Sequence, residues 1–249
     1  SCINLFPSAG GRAVSDRQRP TALPKYVQIA EMLIRDIAAG RLADGARLPP
    51  ERELAETLGT AVGTLRKALD LLVEKNLLER VQGSGNYVRA RADVPSVYSF
   101  LRIERLQGGG LPTADVLSID QLVAPREAKF ASPNGFRFRR LRFMDRIPAA
   151  MEEIWLDCAV TETVDEDAVS ESLYLYYSEV LGVVITSAED RINLAPVPDW
   201  VDPRFDLRAG EIAGYIERTG RAHTGETVEY SRTWFDPNQI NYVSRLGKT

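Results

Sequence analysis

Apolar residues in the first third of the chain recur every three or four positions in three separate segments, a spacing that is typical of helices. The first segment predicts a helix over 24–39 that ends at a capping Gly40. A short second helix begins at Glu51 and ends before Gly59, and a third begins at 61 or 62 and closes at Asn76. The buried side of the third helix is predicted to consist of Leu65, Ala68, Leu69 and Leu72.

Two strand-like runs follow the third helix. They cover residues 77–82 and 86–89, and Gly83-Ser84-Gly85 lies between them. This arrangement predicts a β-hairpin. Two short helices joined by a tight turn make a helix-turn-helix, to which the hairpin adds a wing.

Alternating apolar and polar residues dominate the chain after residue 97 and indicate strands. The predicted strands cover 102–106, 115–123, 136–143, 149–156, 183–193 and 226–235. Helices are predicted over 125–131, 171–181 and 208–219. This mixture of elements, with local antiparallel patterns, indicates an α+β fold class. The polar segment 91–96 is interpreted as a linker, and residues 1–23 as a disordered tail.

The charged residues are divided unevenly along the chain. The net charge is −4, but residues 1–92 contain 14 Lys and Arg against 10 Asp and Glu, a balance of +4. Residues 93–249 contain 17 against 25, a balance of −8. This division favours a first domain that faces DNA and a second domain that avoids it.

Histidine and cysteine are rare in the sequence, and this scarcity disfavours several kinds of site. One histidine, His223, and two cysteines, Cys2 and Cys158, argue against a histidine-based metal site, a Ser-His-Asp triad and a disulfide framework. Neither a membrane span nor a secretory signal is indicated. A reduced, cytoplasmic setting without cofactors is expected. Trp155 and Trp234 are expected in the core, and His223 in an exposed loop.

Five short motifs follow one another in the first part of the chain. They are LPPERELA at 48–55, LG at 58–59, TLRKAL at 64–69, LLER at 77–80 and GSGNYV at 83–88. In this order and spacing, residues 24–90 resemble the winged helix-turn-helix domain of the GntR family of bacterial regulators. The resemblance implies that the third helix enters the major groove of DNA and that the wing follows the minor groove.

The resemblance also implies roles for individual residues. Arg52 is expected to hold a phosphate, Arg66 to contact the backbone or a base edge, and Thr64 to lie on the groove side. The backbone amides of Gly83 and Gly85 are expected to approach the minor groove, because glycine allows a close contact. The complete predicted DNA-binding set is Arg52, Ala61, Val62, Gly63, Thr64, Arg66, Lys67, Arg80, Gly83, Ser84 and Gly85.

The start of the third helix departs from the family pattern. The family commonly has Ser-Arg-Thr there, whereas this chain has Ala61-Val62-Gly63. The arginine that commonly reads guanine is therefore absent. Either a methyl group of Ala61 or Val62 contacts a thymine methyl, or DNA shape and wing contacts supply the specificity. Both alternatives imply an operator that differs from the family's usual one.

A second series of motifs lies in the C-terminal part. They are RRLR at 139–142, IPAAMEE at 147–153, SLY at 172–174, LG at 181–182 and GETVEYS at 225–231. In this order, residues 97–246 resemble the UTRA domain of the HutC subfamily, which binds effectors and shares its fold with chorismate lyase. The resemblance implies a mixed α/β domain that also forms the dimer.

The resemblance places five residues in an effector pocket: Arg140, Glu152, Ser172, Tyr174 and Glu229. Arginine suits a phosphate or carboxylate, glutamates accept hydrogen bonds from hydroxyls or an amine, and the hydroxyls of serine and tyrosine donate to oxygen. The proline-rich segment 196–203 is expected to border this pocket or to cover it as a loop.

Structural roles remain open for the same residues. Arg140 and Glu152 are also expected to form a cross-strand salt bridge if they do not bind a ligand. Ser172 suits the N-cap of the following helix. Tyr174 suits a core or a dimer surface equally well. No catalytic residue and no metal ligand is assigned.

The function expected from both resemblances is repression that a small-molecule effector relieves, and this effector is expected to be a sugar, a sugar phosphate or another catabolic metabolite. A homodimer would place two recognition helices about 34 Å apart on a palindromic double-stranded operator. Two other functions remain as alternatives. One is a small-molecule enzyme of lyase-like fold, and the other is a DNA-binding dimer that responds to no ligand.

Overall fold

The computed structural model describes residues 23–90, 98, 100–169 and 171–245. The predicted linker at 91–96 and all of the predicted tail except Leu23 lie outside these ranges. Within the described residues, no helix is long and apolar enough to cross a membrane. The same residues include no group of three or more His, Cys, Asp or Glu side chains that could hold a metal ion.

The N-terminal part contains the predicted helices and hairpin. Gly59, with a φ of 58°, separates the second helix from the third. Asn76, with a φ of 57°, takes the left-handed conformation that ends the third helix. The elements are α1 (Lys25–Ala38), α2 (Glu51–Thr57), α3 (Val62–Glu74), β1 (Leu78–Val81) and β2 (Gly85–Val88).

A single apolar core joins these elements. The four apolar positions predicted for α3 are completely buried. Ile29 and Ile34 of α1 and Leu54 of α2 belong to the same cluster. Because the core fixes one side of α3, its other side presents Arg66 and Lys67 to solvent.

The C-terminal part is a sheet domain. Its elements are β3 (Ile103–Arg105), β4 (Pro112–Val123), β5 (Asn134–Met144), β6 (Ile147–Asp157), α4 (Leu173–Glu179), β7 (Ile185–Pro196), β8 (Ile212–Ala222), β9 (Thr227–Phe235) and β10 (Ile240–Tyr242). Among the described residues, six of the strands form one antiparallel sheet in the order β4-β5-β6-β9-β8-β7. In the part of the chain that the structure describes, β3 pairs with β10 alone. The α+β class is confirmed.

The predicted helix over 208–219 is wrong, because β8 occupies most of that segment. β8 pairs with β7 along one edge and with β9 along the other. Hydrogen bonding on both edges outweighs the helical spacing of the apolar residues, and two glycines within the segment disfavour a helix. A Cβ on Gly214 would lie 2.3 Å from the ring of Phe235, so this ring packs directly on the backbone of β8.

Two other predicted helices are shorter than expected. The segment 125–131 contains only a single 3-10 turn, Arg126–Ala128, and the segment 171–181 contains α4. Trp155 and Trp234 are buried, and His223 is exposed in a turn, as predicted.

Different elements pack on the two faces of the large sheet. α4 packs on one face, where Tyr176 and Tyr177 join the core around Phe138. The proline-rich segment 196–203 was expected at the effector pocket, but Val197 packs with Leu141 on the opposite face. This expectation is wrong. Arg140, a predicted pocket residue, and Leu141 are consecutive in β5, so their side chains point to opposite faces of the sheet.

An apolar strip lies on β7 and β8, the two strands at one edge of the large sheet. We define it as Ile192, Leu194 and Ile212. Their exposed fractions are 54%, 66% and 59%. Leu194 lies opposite Gly214 in the register, and Ile212 lies opposite Pro196. The three side chains therefore share one face of neighbouring strands.

Candidate functional site

A cavity of about 90 Å³ lies between one face of the large sheet, the start of α4 and the segment that leads into β3. All five predicted effector residues line it: Arg140, Glu152, Ser172, Tyr174 and Glu229. They come from β5, β6, β9 and the first turn of α4 with its cap. The fold therefore brings the predicted set together, and its binding of a ligand stays a prediction.

Glu152 lies between two buried arginines in this cavity. Its Oε2 accepts a hydrogen bond from Nη2 of Arg140 at 2.7 Å, and its Oε1 accepts one from Nε of Arg142 at 3.1 Å. Burial opposes the negative charge, but the two guanidinium groups outweigh burial and lower the pKa of Glu152. The carboxylate is ionised at neutral pH, and the predicted cross-strand salt bridge with Arg140 is confirmed.

Glu229 offers a different kind of carboxylate to the same cavity. Its Oε1 accepts a hydrogen bond from the hydroxyl of Tyr174 at 2.9 Å. Its Oε2 makes no hydrogen bond of ordinary geometry with the described residues. Burial raises the pKa of Glu229, although the Tyr174 hydroxyl, the charge of Arg218 and the Tyr177 hydroxyl oppose this rise. Glu229 therefore retains a buried acceptor oxygen.

Arg218 is the fixed cation beside Glu229. Its Nε and Nη2 donate to the two carboxylate oxygens of Asp190 at 2.6 and 2.7 Å. The hydroxyl of Tyr242 donates to the same carboxylate at 2.8 Å. This bidentate pair holds the guanidinium in one orientation at the cavity wall.

Ser172 and Tyr174 line the cavity and also stabilise the surrounding structure. The backbone N–H of Leu175 donates to Oγ of Ser172 at 3.3 Å, so Ser172 is the N-cap of α4, as predicted. The ring of Tyr174 packs edge-on against Phe100, with 5.6 Å between the ring centroids. These two residues fix the start of α4 against the cavity.

Sequence reasoning misses most of the other cavity residues, and three of them show why. Arg142 has a readable signal, since it follows Arg140 by two positions in a strand and must share its face. Arg218 lies in the segment wrongly predicted as a helix. Phe100 lies in a segment without a motif, and only the tertiary structure brings it to the cavity.

Helix α1 of the N-terminal part lies against two walls of the cavity. Nη2 of Arg35 donates to the carbonyl oxygen of Ile103 at 3.2 Å. Nε2 of Gln28 donates to Oε2 of Glu171 at 3.2 Å, and the backbone carbonyl of Glu171 accepts from Nη1 of Arg140, also at 3.2 Å. Glu171 therefore contacts both α1 and the arginines of the cavity.

Glu104 forms a second connection between α1 and the sheet domain, and we call it and its arginines the Glu104 cluster. Nη1 of Arg41 lies 3.0 Å from each carboxylate oxygen, and Arg245 donates to them at 2.7 and 2.9 Å. Arg35 lies 4.0 Å away. Burial opposes the charge of Glu104, but the hydrogen bonds from Arg245 and Arg41 outweigh burial and lower its pKa to about 2.

The predicted DNA-binding residues occupy three neighbouring elements. Ala61 to Thr64 lie at the cap and first turn of α3, and Arg66 and Lys67 follow on its exposed side. Arg80 and residues 83–85 border a depression that the wing shares with Glu51 of α2. Arg52 is exposed on α2, outside this depression. Contact of this set with DNA stays a prediction.

Two of the predicted DNA-binding arginines are already paired with carboxylates. Nε of Arg66 lies 2.6 Å from Oε2 of Glu51, and Nη1 of Arg80 lies 2.6 Å from Oδ1 of Asp70. The Arg66 side chain is nevertheless 64% exposed. A surface pair of this kind is weak, so DNA phosphate can replace the carboxylate.

Comparison with known proteins identifies both parts of the chain. The family model described as bacterial regulatory proteins, gntR family, matches residues 25–88, and the UTRA domain model matches residues 107–241. The HTH-type transcriptional regulator SmoD of Agrobacterium fabrum is 52% identical over 227 residues, which cover 90% of this chain and 97% of SmoD.

Two other similarities extend over most of the chain. The mannosyl-D-glycerate transport/metabolism system repressor MngR of Escherichia coli is 28% identical and covers 88% of this chain and 95% of its own length. The crystal structure of YydK from Bacillus subtilis has a TM-score of 0.51 at 21% identity, over 90% of this chain and 100% of that one, which shows the fold alone. The chain therefore belongs to the GntR family of bacterial regulatory proteins, as a DNA-binding transcription regulator whose UTRA domain binds a small-molecule effector.

Proposed function

We propose that this regulator is a repressor whose DNA binding is relieved by a hydroxylated anion in the cavity. The observation that carries this proposal is that four guanidinium groups meet in the cavity wall. They belong to Arg102, Arg140, Arg142 and Arg218, and the carboxylates of the lining are Glu152 and Glu229, while Asp190 balances Arg218 from outside the lining. Guanidinium groups that converge in this way favour a carboxylate, a phosphate or a similar anion. That the relative MngR is a repressor supports this direction of regulation.

The hydroxyl groups of the ligand would be bound by the other side of the cavity. Oε2 of Glu229 is buried and makes no hydrogen bond of ordinary geometry with the described residues, although the hydroxyl of Tyr177 lies near this carboxylate. The hydroxyl of Tyr174 lies beside it. A ligand hydroxyl could donate to this Glu229 oxygen or to the oxygen of Tyr174, whose own hydrogen is already donated to Oε1 of Glu229.

The link to DNA binding would run through Glu171. An anion that attracts Arg140 weakens its hydrogen bond to the carbonyl of Glu171, whose side chain holds Gln28 of α1. Effector and DNA then favour different positions of α1, and each weakens the binding of the other by the same factor. Coupling of this kind is typically about 1–3 kcal/mol, which is a roughly 5- to 150-fold change in affinity.

The DNA-bound form would be a homodimer that reads a palindromic operator. The apolar strip supports a contact with a second copy, because its three large side chains are more than half exposed. We expect Leu194→Glu to produce monomers in sedimentation velocity. The matched control is Val123→Glu on the opposite edge strand, β4, where the Val123 side chain is 76% exposed. This variant should stay dimeric. Monomeric wild-type protein at micromolar concentration would contradict this part of the proposal.

The decisive experiment is fluorescence anisotropy on duplexes from upstream of the chain's own gene and its neighbours. Arg52→Ala and Arg66→Ala should each weaken binding by roughly 5- to 150-fold, since such contacts are typically worth about 1–3 kcal/mol. A panel of sugar acids and sugar phosphates, with the matching neutral sugars as controls, is then added to the wild-type complex.

An anionic member should release the DNA from the wild type and fail to release it from Glu229→Gln. Release by neutral sugars alone would contradict the proposed charge of the effector. A regulator that binds DNA tightly and responds to no small molecule would support the ligand-independent dimer.

A further inference from the structure

A depression of about 540 Å³ lies in the N-terminal domain, between the loop before α2 and the wing. Its wall contains the turn at 82–85 on one side and Pro49 and Pro50 on the other. Arg47 also lines it, at a position that no motif of the sequence singles out. The wing turn is expected to approach the minor groove of DNA, so this depression lies next to the DNA backbone.

Arg47 is held in this position by the backbone on both sides. It forms an isolated β-bridge with Tyr87 of the wing. The N–H of Leu48 donates to the carbonyl of Asn86 at 2.9 Å, and the N–H of Val88 donates to the carbonyl of Ala46 at 2.8 Å. The loop thus runs as a short extra strand beside β2, and its backbone is ordered before DNA arrives.

Gly85 allows the Arg47 side chain to lie over the wing. A Cβ at residue 85 would be 3.2 Å from Nε of Arg47 and 3.6 Å from Nη2. The φ of Gly85 is also +138°, which other residues rarely adopt. Glycine at this position therefore serves both the wing turn and the placement of the guanidinium.

Arg47 differs from its charged neighbours because it has no carboxylate partner among the described residues. Arg66 is paired with Glu51, and Arg80 is paired with Asp70. Arg47 is exposed on the rim of the depression. Its charge is therefore available to a partner outside the chain, and it needs no exchange of ion pairs to bind one.

We propose that Arg47 binds a phosphate of the DNA backbone beside the minor groove, and that Gly85 positions it. The contact adds one charge to the DNA-binding surface and carries no base information. A guanidinium is suited to this role because it donates two parallel hydrogen bonds to a phosphate. Its backbone is ordered in advance, so less conformational freedom is lost on binding.

The test compares Arg47→Ala, Arg47→Lys and the control Lys75→Ala by anisotropy on a mixed-sequence 30-base-pair duplex and on the best duplex selected by the wild type. Lys75 is an exposed cation at the far end of α3, so the control removes the same charge away from the wing. Arg47→Ala should weaken binding to both duplexes by the same factor, roughly 10-fold. Its slope of log affinity against log salt concentration should fall by about 0.9. Arg47→Lys should restore most of the slope and only part of the affinity.

A double-mutant cycle tests the role of Gly85. Gly85→Ala should weaken DNA binding in the wild type and have a clearly smaller effect in the Arg47→Ala background. Thermal unfolding of each variant separates a lost contact from a lost fold. Affinity and salt slope equal to those of Lys75→Ala would overturn the proposal. So would a loss confined to one of the two duplexes, because that result would indicate a base contact.

Discussion

Arginine–carboxylate pairs occur in both functional regions, and their surroundings differ. On the DNA-binding surface, the side chain of Arg66 is 64% exposed beside Glu51, whereas in the cavity that of Arg140 is 3% exposed beside Glu152. An exposed pair contributes about 0–1 kcal/mol, because water screens it. Breaking a buried pair costs about 3–5 kcal/mol, because the remaining charge stays in a poor solvent.

The difference separates two ways of using the same chemistry. If the surface arginines bind DNA as predicted, they can leave their carboxylates with little change in stability. The cavity arginines are part of the folded structure, so a ligand that binds there must be added to their network and cannot replace it. The DNA-binding surface is therefore expected to tolerate loss of a carboxylate, and the cavity is not.

The largest effect is expected from Glu152→Gln, which leaves Arg140 and Arg142 buried without their carboxylate. We expect the free energy of unfolding of the sheet domain to fall by about 3–5 kcal/mol in urea denaturation followed by circular dichroism. Glu153→Gln is the matched control, since Glu153 is equally buried but its partners Arg139 and Arg232 are 24% and 29% exposed. Equal losses in the two variants would remove the distinction between the buried and the exposed networks.

Glu104→Gln should have an intermediate effect, because Arg41 and Arg245 can return to water. We expect a loss of about 1.5–3 kcal/mol at neutral pH, the range for hydrogen bonds to charged groups. Hydrogen exchange should also become faster in α1, where Arg35 contacts the sheet domain. Asp36→Asn is the control, because Asp36 binds Arg41 outside the sheet domain.

The contribution of Glu104 should also depend on pH in a defined direction. Its pKa is lowered to about 2 from an ordinary value of 4.5, so the ionised form stabilises the folded state. The stabilisation is complete above the ordinary pKa and is lost as the pH falls from 4.5 towards 2. The difference between wild type and Glu104→Gln should therefore be constant from pH 8 to pH 6 and smaller at pH 3. A difference that already shrinks between pH 8 and pH 6 would contradict the ion cluster.

Glu229→Gln should have the opposite dependence on pH. Burial raises the pKa of Glu229, so the unfolded chain releases its proton at a lower pH than the folded chain does. The ionised side chain then destabilises the fold as the pH rises above its ordinary pKa. The melting temperature of Glu229→Gln minus that of the wild type, measured by calorimetry, should be larger at pH 8 than at pH 4. A larger advantage at pH 4 would contradict the raised pKa.

The smallest change in stability is expected for Glu51→Gln at the DNA-binding surface. The free energy of unfolding should change by less than about 1 kcal/mol. DNA affinity should rise severalfold at low salt, because Arg66 no longer has to leave a carboxylate to bind DNA. The gain should disappear in Arg66→Ala. A gain that persists in that background would mean that Glu51 acts on DNA by its charge alone.

The sequence predicts the helical part of this molecule more completely than the sheet part. In α3, one period of apolar residues determines which side is buried, and the local signals at Gly59 and Asn76 agree with it. In β8, the local pattern and the tertiary pairing disagree. Pairing with strands on both edges depends on residues far away in the chain, so a window of sequence cannot contain it.

The candidate sites divide in the same way. Arg140, Glu152 and Glu229 are identified through motifs, and their strand positions place them on one face of the sheet. The Glu104 cluster has no such signal, since Arg41 and Arg245 come from opposite ends of the chain. Arg47 is a similar case, because only the β-bridge to Tyr87 shows that it borders the wing.

The apolar strip has a consequence for how the concentration of the protein enters each measurement. If a second copy covers Ile192, Leu194 and Ile212, dimerisation of the folded chain stabilises it against unfolding, and this stabilisation increases with protein concentration. The melting temperature of the wild type should then increase with protein concentration, and that of Leu194→Glu should not. Anisotropy at nanomolar protein and calorimetry at micromolar protein would observe different mixtures of monomer and dimer. In that case the amount of protein in the cell is a variable of its regulation, alongside the concentration of its ligand.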